Sequence, residues 1–198
     1  MSPTDELVPV LKKLRMSGVL ESLELRLREA GEEEVSHVEF LLRLLTDEAQ
    51  RRAGKQTALR LRRANFEHAK TLEEFDFTFN PSIPRSRILD LATCRFVSQR
   101  ENVVLVGPTG VGKSHIAQAL GQRACLAGHS VLFEPAHRMF AELRAARADG
   151  SLDRRLSKYL SVDLLILDDL GLRPLRDPEP FDLYELIRGR YEKGALLI

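Results

Sequence analysis

The sequence has little cysteine, no long apolar run and almost no net charge, and each shortage removes a class of protein. Cys94 and Cys125 are the two cysteines in 198 residues. They are too few for a disulfide framework and lack the spacing of a zinc site, so they read as core filling in a reducing compartment. No apolar stretch approaches the roughly 18 residues that suggest a membrane span. Met1 to Val10 carries Asp5 and Glu6 and no apolar signal core, so a cytoplasmic protein with no membrane partner is expected. Thirty Lys and Arg against 29 Asp and Glu leave a formal charge of +1. Any affinity for nucleic acid must then come from a local basic face rather than from the field of the whole molecule. Internal repeats and low-complexity tracts are missing, as is any arrangement of serine, cysteine and histidine that suggests a hydrolytic triad or a metal cluster. What is there, 43% hydrophobic residues over this length, supports one moderate core and a smaller appendage.

The first part reads as helices from Leu7 to about Lys70. Leu7, Val10, Leu11 and Leu14 have the i, i+3, i+4, i+7 spacing of one apolar face. A second helix is expected from Ser36, where Ser36 and Glu39 form a capping-box pattern ahead of Phe40, Leu41, Leu44 and Leu45. Gly31 and the acidic run Glu32 to Glu34 mark the loop before it. The stretch Arg51 to Arg63 holds Arg51, Arg52, Lys55, Arg60, Arg62 and Arg63 without an acidic residue. Such a run reads equally as a solvated helix face or as a phosphate-contacting surface.

Between Phe75 and Pro84 two prolines remove backbone donors and push their predecessors to extended geometry, which marks a domain junction. The expected division is 1–74, a small all-α domain, and 75–198, an α/β domain. In the second part a short helix around Ser86 to Ala92 precedes alternating strands and helices. The predicted strands are Val103 to Val106, Ser130 to Phe133, Leu164 to Leu167 and Ala195 to Ile198. The predicted helices are Lys113 to Ala127, Ala136 to Ala148, Ser151 to Leu160 and Phe181 to Lys193, with Gly128, Gly150 and Gly194 as stops. Alternation of this kind implies a parallel sheet covered on both faces.

Residues 107–114 read Gly-Pro-Thr-Gly-Val-Gly-Lys-Ser, a match to G-x-x-x-x-G-K-[ST] at each fixed position, between a predicted strand and a predicted helix. Glycines let such a loop curl so that successive backbone N–H groups point at a phosphate, and the helix N-terminus adds partial positive charge. The candidate nucleotide-binding residues are Gly107, Pro108, Thr109, Gly110, Val111, Gly112, Lys113, Ser114 and His115, with the His115 side chain read as packed rather than catalytic. Lys113 would reach the β and γ phosphates of ATP and Ser114 would ligate Mg²⁺. Leu164-Leu165-Ile166-Leu167 runs into Asp168-Asp169, a Walker B signature. Ligands of parallel α/β sheets sit beyond the carboxyl ends of the strands, so Asp168 would hold Mg²⁺ and Asp169 would orient or deprotonate the attacking water. Arg173 and Arg176 are assigned to a solvated loop, and Arg188 and Arg190 to the surface.

Three stretches together carry a resemblance to a known family. They are Phe75-Asp76-Phe77 with Pro84 to Leu91, Glu101 to Ala117 with its Gly-Lys-Ser-His, and Asp163 to Gly171. The sequence resembles the IstB-like ATP-binding proteins, transposition helper ATPases related to DnaC-type helicase loaders. The resemblance implies a P-loop AAA+ core and an ATPase that assembles on double-stranded DNA as an ATP-dependent homo-oligomer and directs a transposase. It also gives Arg51, Arg52, Lys55, Arg60, Arg62 and Arg63 a DNA-binding role. A replicative helicase is the alternative partner, and a non-hydrolysing nucleotide-binding module the alternative activity. A small-molecule kinase fits less well, for want of an acceptor-binding lid. The family pattern would continue past Ala195 to Ile198 into a sensor, a trans-acting arginine, a fifth strand and a helical lid. Without that strand the cradle-bearing strand is expected to form a bare sheet edge.

Overall fold

A computed structural model describes residues 3–68 and 70–198. The chain forms two compact units, Met1–Ala58 and Leu59–Ile198. The division falls inside a helix, upstream of the junction that the prolines suggest.

In the first unit, α1 (Pro3–Lys13) and α2 (Ser17–Glu32) are separate helices, and α3 (His37–Arg63) is one continuous helix that runs past the unit boundary. A turn with Arg15 at φ +55° separates α1 from α2. The apolar face expected of the first helix is only partly used: Leu11 is buried, whereas Leu7, Val10 and Leu14 are exposed. Leu11 packs with Val19, Leu23 and Leu44. Helix α2 continues through Gly31, so the expected loop is confined to the residues after Glu32. Ser36 Oγ accepts the Glu39 N–H at 3.2 Å, as a cap should. The Glu39 carboxylate does not return the bond but pairs with Arg43 at 2.7 Å, so the capping box is half made. Glu48, buried on α3, accepts the Gly18 and Val19 N–H groups and so caps α2 from another helix.

The second unit is an α/β layer structure. After α4 (Arg85–Leu91) and α5 (Arg95–Ser98) come α6 (Lys113–Leu126), β1 (Val131–Pro135), α7 (Ala136–Ala148), α8 (Leu152–Leu160), β2 (Leu164–Asp168), α9 (Glu179–Arg190) and β3 (Ala195–Leu197). The strands pair in parallel in the order β1-β2-β3. The strand expected at Val103–Val106 is reduced to a parallel bridge from Val103 to Leu197, held by Val103 N–H to Leu196 O (2.8 Å), Ile198 N–H to Val103 O (3.0 Å) and Leu105 N–H to Ile198 O (2.7 Å). This segment lies beyond β3 at the sheet edge, with Val104 and Val106 exposed.

Strand alternation divides the core between the two faces. Val131, Phe133, Leu164, Ile166, Ala195 and Leu197 pack towards α6, while Leu132, Leu165, Leu167 and Leu196 pack towards α7, α8 and α9. Two sequence expectations fail here for tertiary reasons. The helix expected to reach Lys70 ends at Arg63, because the Ala64 carbonyl accepts the Phe133 N–H of β1 at 2.7 Å and Asn65 turns left-handed at φ +60°. Arg190, assigned to the surface, is buried and donates to the carbonyls of Tyr159 (2.6 Å), Val162 (3.0 Å), Asp163 (3.2 Å) and Ala195 (2.6 Å). Gly194 is glycine for that reason: a Cβ there would lie 2.5 Å from Arg190 Nη2. Burial pulls the Arg190 guanidinium down to about 10, still charged at neutral pH.

Candidate nucleotide-binding site

The cradle forms where the sheet edge hands over to α6. Gly110 and Gly112 take φ of +83° and +95°, a region costly for any side chain, and allow the loop to double back before Lys113 starts the helix. Ile116 N–H closes the first helical bond onto Gly112 O at 3.0 Å. Lys113 Nζ donates to the loop's own carbonyls, Gly107 O at 2.9 Å and Pro108 O at 2.8 Å. Its ammonium is thus held over the mouth of the loop by groups that a phosphate would replace.

Strand β2 delivers the second half of the site. Leu164 to Leu167 are fully buried, and Asp168 is the first residue of the strand to reach partial exposure. Ser114 Oγ donates to Asp168 Oδ1 at 2.9 Å, so two motifs 54 residues apart in sequence meet atom to atom. Asp168 Oδ1 also accepts the Asp169 N–H at 3.1 Å, and Asp169 sits at φ +59°, which ends the strand at that point. Gly107, Thr109, Gly110, Gly112, Lys113, Ser114, Asp168 and Asp169 line one open hollow of about 520 Å³. A hydroxyl and a carboxylate in contact are hard oxygen donors suited to Mg²⁺. A second hollow of about 460 Å³ flanks the other side of the loop, lined by Ile83, Pro84, Ile88, Val104, Val106 and Ile116 among others.

His115 also borders the cradle, but its Nε2 lies 2.8 Å from Thr71 O. A carbonyl only accepts, so the imidazole carries its proton on Nε2 and donates. Past the carboxylate pair, the loop from Gly171 is pinned rather than solvated. Arg173 grips the buried Glu179 through both terminal nitrogens at 2.8 Å, and Arg176 N–H adds a third bond at 2.9 Å. The Arg173 guanidinium holds the Glu179 carboxyl down at about 2. Sequence inspection offers no signal for this clamp, since its partners are an ordinary loop arginine and an ordinary helix-start glutamate.

The basic residues of α3 have more varied surroundings than their run in sequence suggests. Arg51 pairs with Glu21 and Ser17, Arg52 with Glu48, and Lys55 Nζ lies 3.2 Å from Ser17 Oγ. Arg60 is half-buried, and Arg62 and Arg63 are exposed.

Residues 9–198 match the profile of the family described as IstB-like ATP binding protein. The chain belongs to that family. Among its relatives, an ATP-binding protein of an insertion sequence in Mycobacterium tuberculosis is 42% identical over 95% of this chain and 75% of its own length. The IS21 ATP-binding protein of Pseudomonas aeruginosa is 39% identical over 98% of this chain and 73% of its own. In fold, this IstB-like chain is similar to AMPPCP-bound DnaA of Aquifex aeolicus, with TM-score 0.58, 24% identity and coverage of 68% of this chain and 42% of that one. It is also similar to the DnaC helicase loader, with TM-score 0.52, 25% identity and coverage of 59% and 70%. The IstB-like second unit is thus a P-loop fold of the AAA+ type. The chain spans about three quarters of its insertion-sequence relatives and about two fifths of DnaA.

Proposed function

We propose that this chain binds ATP with Mg²⁺ and hydrolyses it as a helper ATPase of DNA transposition, assembling on double-stranded DNA and directing a transposase. The observation that carries the nucleotide half is the Ser114–Asp168 contact, which makes one oxygen-donor pair out of the two motifs at the rim of the cradle. Ser114 and Asp168 would hold Mg²⁺ there, and the ion would supply positive charge to offset that of the phosphates. Lys113 moves its ammonium from the Gly107 and Pro108 carbonyls to the phosphates, a short transfer because the side chain already lies over the loop. Asp169, on the same hollow, accepts the proton of the attacking water or orients it. The flanking hollow, apolar and next to Val104 and Val106, suits the nucleotide base.

The transposition half is supported by the insertion-sequence relatives. A helicase-loading role has the DnaC fold likeness in its favour and calls for a replicative helicase in place of the transposase. The DNA contact is assigned first to Arg62 and Arg63, whose side chains are exposed, with Arg60, Arg51, Arg52 and Lys55 contributing less because they are engaged within the protein.

The decisive experiment is nucleotide titration of wild type and Lys113→Ala with Mg²⁺ present. The variant removes the cradle's positively charged side chain, and its affinity should fall by at least about tenfold, the equivalent of ~1.4 kcal/mol. Equal affinities would overturn the assignment.

A further inference from the structure

The segment that joins α3 to the α/β layers touches the phosphate-loop helix and its N-terminal glycine at four points. Phe66 lies against Gly121, where a Cβ would come within 2.8 Å of its ring. His68 N–H donates to Gln118 Oε1, itself buried, at 3.2 Å. Thr71 O accepts from His115 at 2.8 Å. Phe75 covers Gly112, where a Cβ would lie 2.6 Å from its ring, and meets His115 edge-on with centroids 5.1 Å apart. The contacts fall at 121, 118, 115 and 112, so the segment runs as a strap obliquely down α6, from its middle to the cradle itself. The strap begins at Ala64, the residue after α3, whose carbonyl is bonded to β1. It turns at Thr71 and Glu74, which exchange N–H bonds at 3.3 Å each way.

We propose that the strap reads the state of the phosphate loop and that His115 is the positioning residue that couples them. Two features of the cradle are involved. Gly112, at φ +95°, has to keep its place for the loop to receive phosphate, and the Phe75 ring fills the space beside it. His115 follows Ser114 directly, so a shift of the first turn of α6 on ligand binding moves its N–H against Thr71 O. A loop ordered by nucleotide therefore favours a seated strap, and a seated strap favours the receptive loop. By linkage the two effects are equal. The strap's other end is the end of the helix that carries Arg60, Arg62 and Arg63, which supplies a route from nucleotide occupancy to that basic stretch. The inference rests on the ATP reading above and concerns regulation of the same site.

Hydrogen exchange on the full chain, with and without Mg-ATP, tests it. ATP should slow exchange of the amides in residues 70–77, measured against those of α7 and α8, by about tenfold, within the 5–150-fold range of such couplings. His115→Ala should abolish the difference and weaken ATP binding by a similar factor. His115→Gln, which keeps an N–H donor, should restore both. The wild-type comparison needs no variant to fold. ATP bound with unaltered strap exchange would overturn the proposal alone, as would full ATP-dependent protection in His115→Ala. A wild-type chain that takes up no ATP would sink the nucleotide reading and this proposal with it.

Discussion

The Asp168–Asp169 pair separates two roles that adjacent carboxylates could share. Asp168 touches Ser114, whereas Asp169 lines the hollow beyond it. Asp168→Asn should weaken both Mg²⁺ dependence and ATP affinity. Asp169→Asn should leave binding in place and lower turnover by about a hundredfold or more, the scale of a lost general base. Steady-state hydrolysis combined with Mg²⁺ titration distinguishes them, and unchanged rates in both variants would reduce the pair to a strand terminator. Arg190 has a structural counterpart of this specificity. Four backbone carbonyls accept from one buried guanidinium, and although the Asp163 carbonyl keeps the Ala195 N–H, Arg190→Ala removes the donor from the others, at about 1–3 kcal/mol for each acceptor left unsatisfied. Thermal unfolding should show a severe loss of stability for Arg190→Ala and almost none for the exposed Arg188→Ala.

Among the elements, α3 illustrates what a sequence run conceals. Six cations without an acid look like one surface, yet Arg51, Arg52 and Lys55 are engaged by Ser17, Glu21 and Glu48, residues distant in sequence or a turn away on α3, and Arg60 is engaged too. Replacing Arg60, Arg62 and Arg63 by Ala should flatten the logarithmic salt dependence of DNA binding by about one to three units and weaken all sequences alike. ATP affinity should stay as it was. An unaltered slope would move the DNA contact to another surface.

The same contrast decides what could be read beforehand. The cradle was legible because its glycines meet a local demand, positive φ at Gly110 and Gly112. β2 was legible because Leu164 to Leu167 is buried on both faces, so the run stays apolar until Asp168. Helices α6 and α7 begin where expected, at Lys113 and Ala136. What escaped was set by contacts distant in sequence. The break at Arg15 carries no glycine or proline. The end of α3 is fixed by Phe133, Arg190 is drawn inside by carbonyls of other elements, and the clamp of Arg173 on Glu179 depends on how α9 is seated.

For the molecule as a whole, the proposed assembly on DNA makes nucleotide a condition of size. Sedimentation of the wild-type chain with duplex DNA should show larger species with Mg-ATP than without, and Lys113→Ala should stay small under both conditions. Species of equal size with and without nucleotide would argue against ATP-controlled assembly. Such a measurement has to reckon with the sheet edge. Among the described residues no hydrogen bond ties the backbone of Val104 or Val106 to a further strand, and both side chains face water. An apolar strand edge of this kind is adhesive towards any other extended chain. The outward side of this segment is thus where another extended backbone would add to the sheet, a geometric property that does not depend on what the cradle contains.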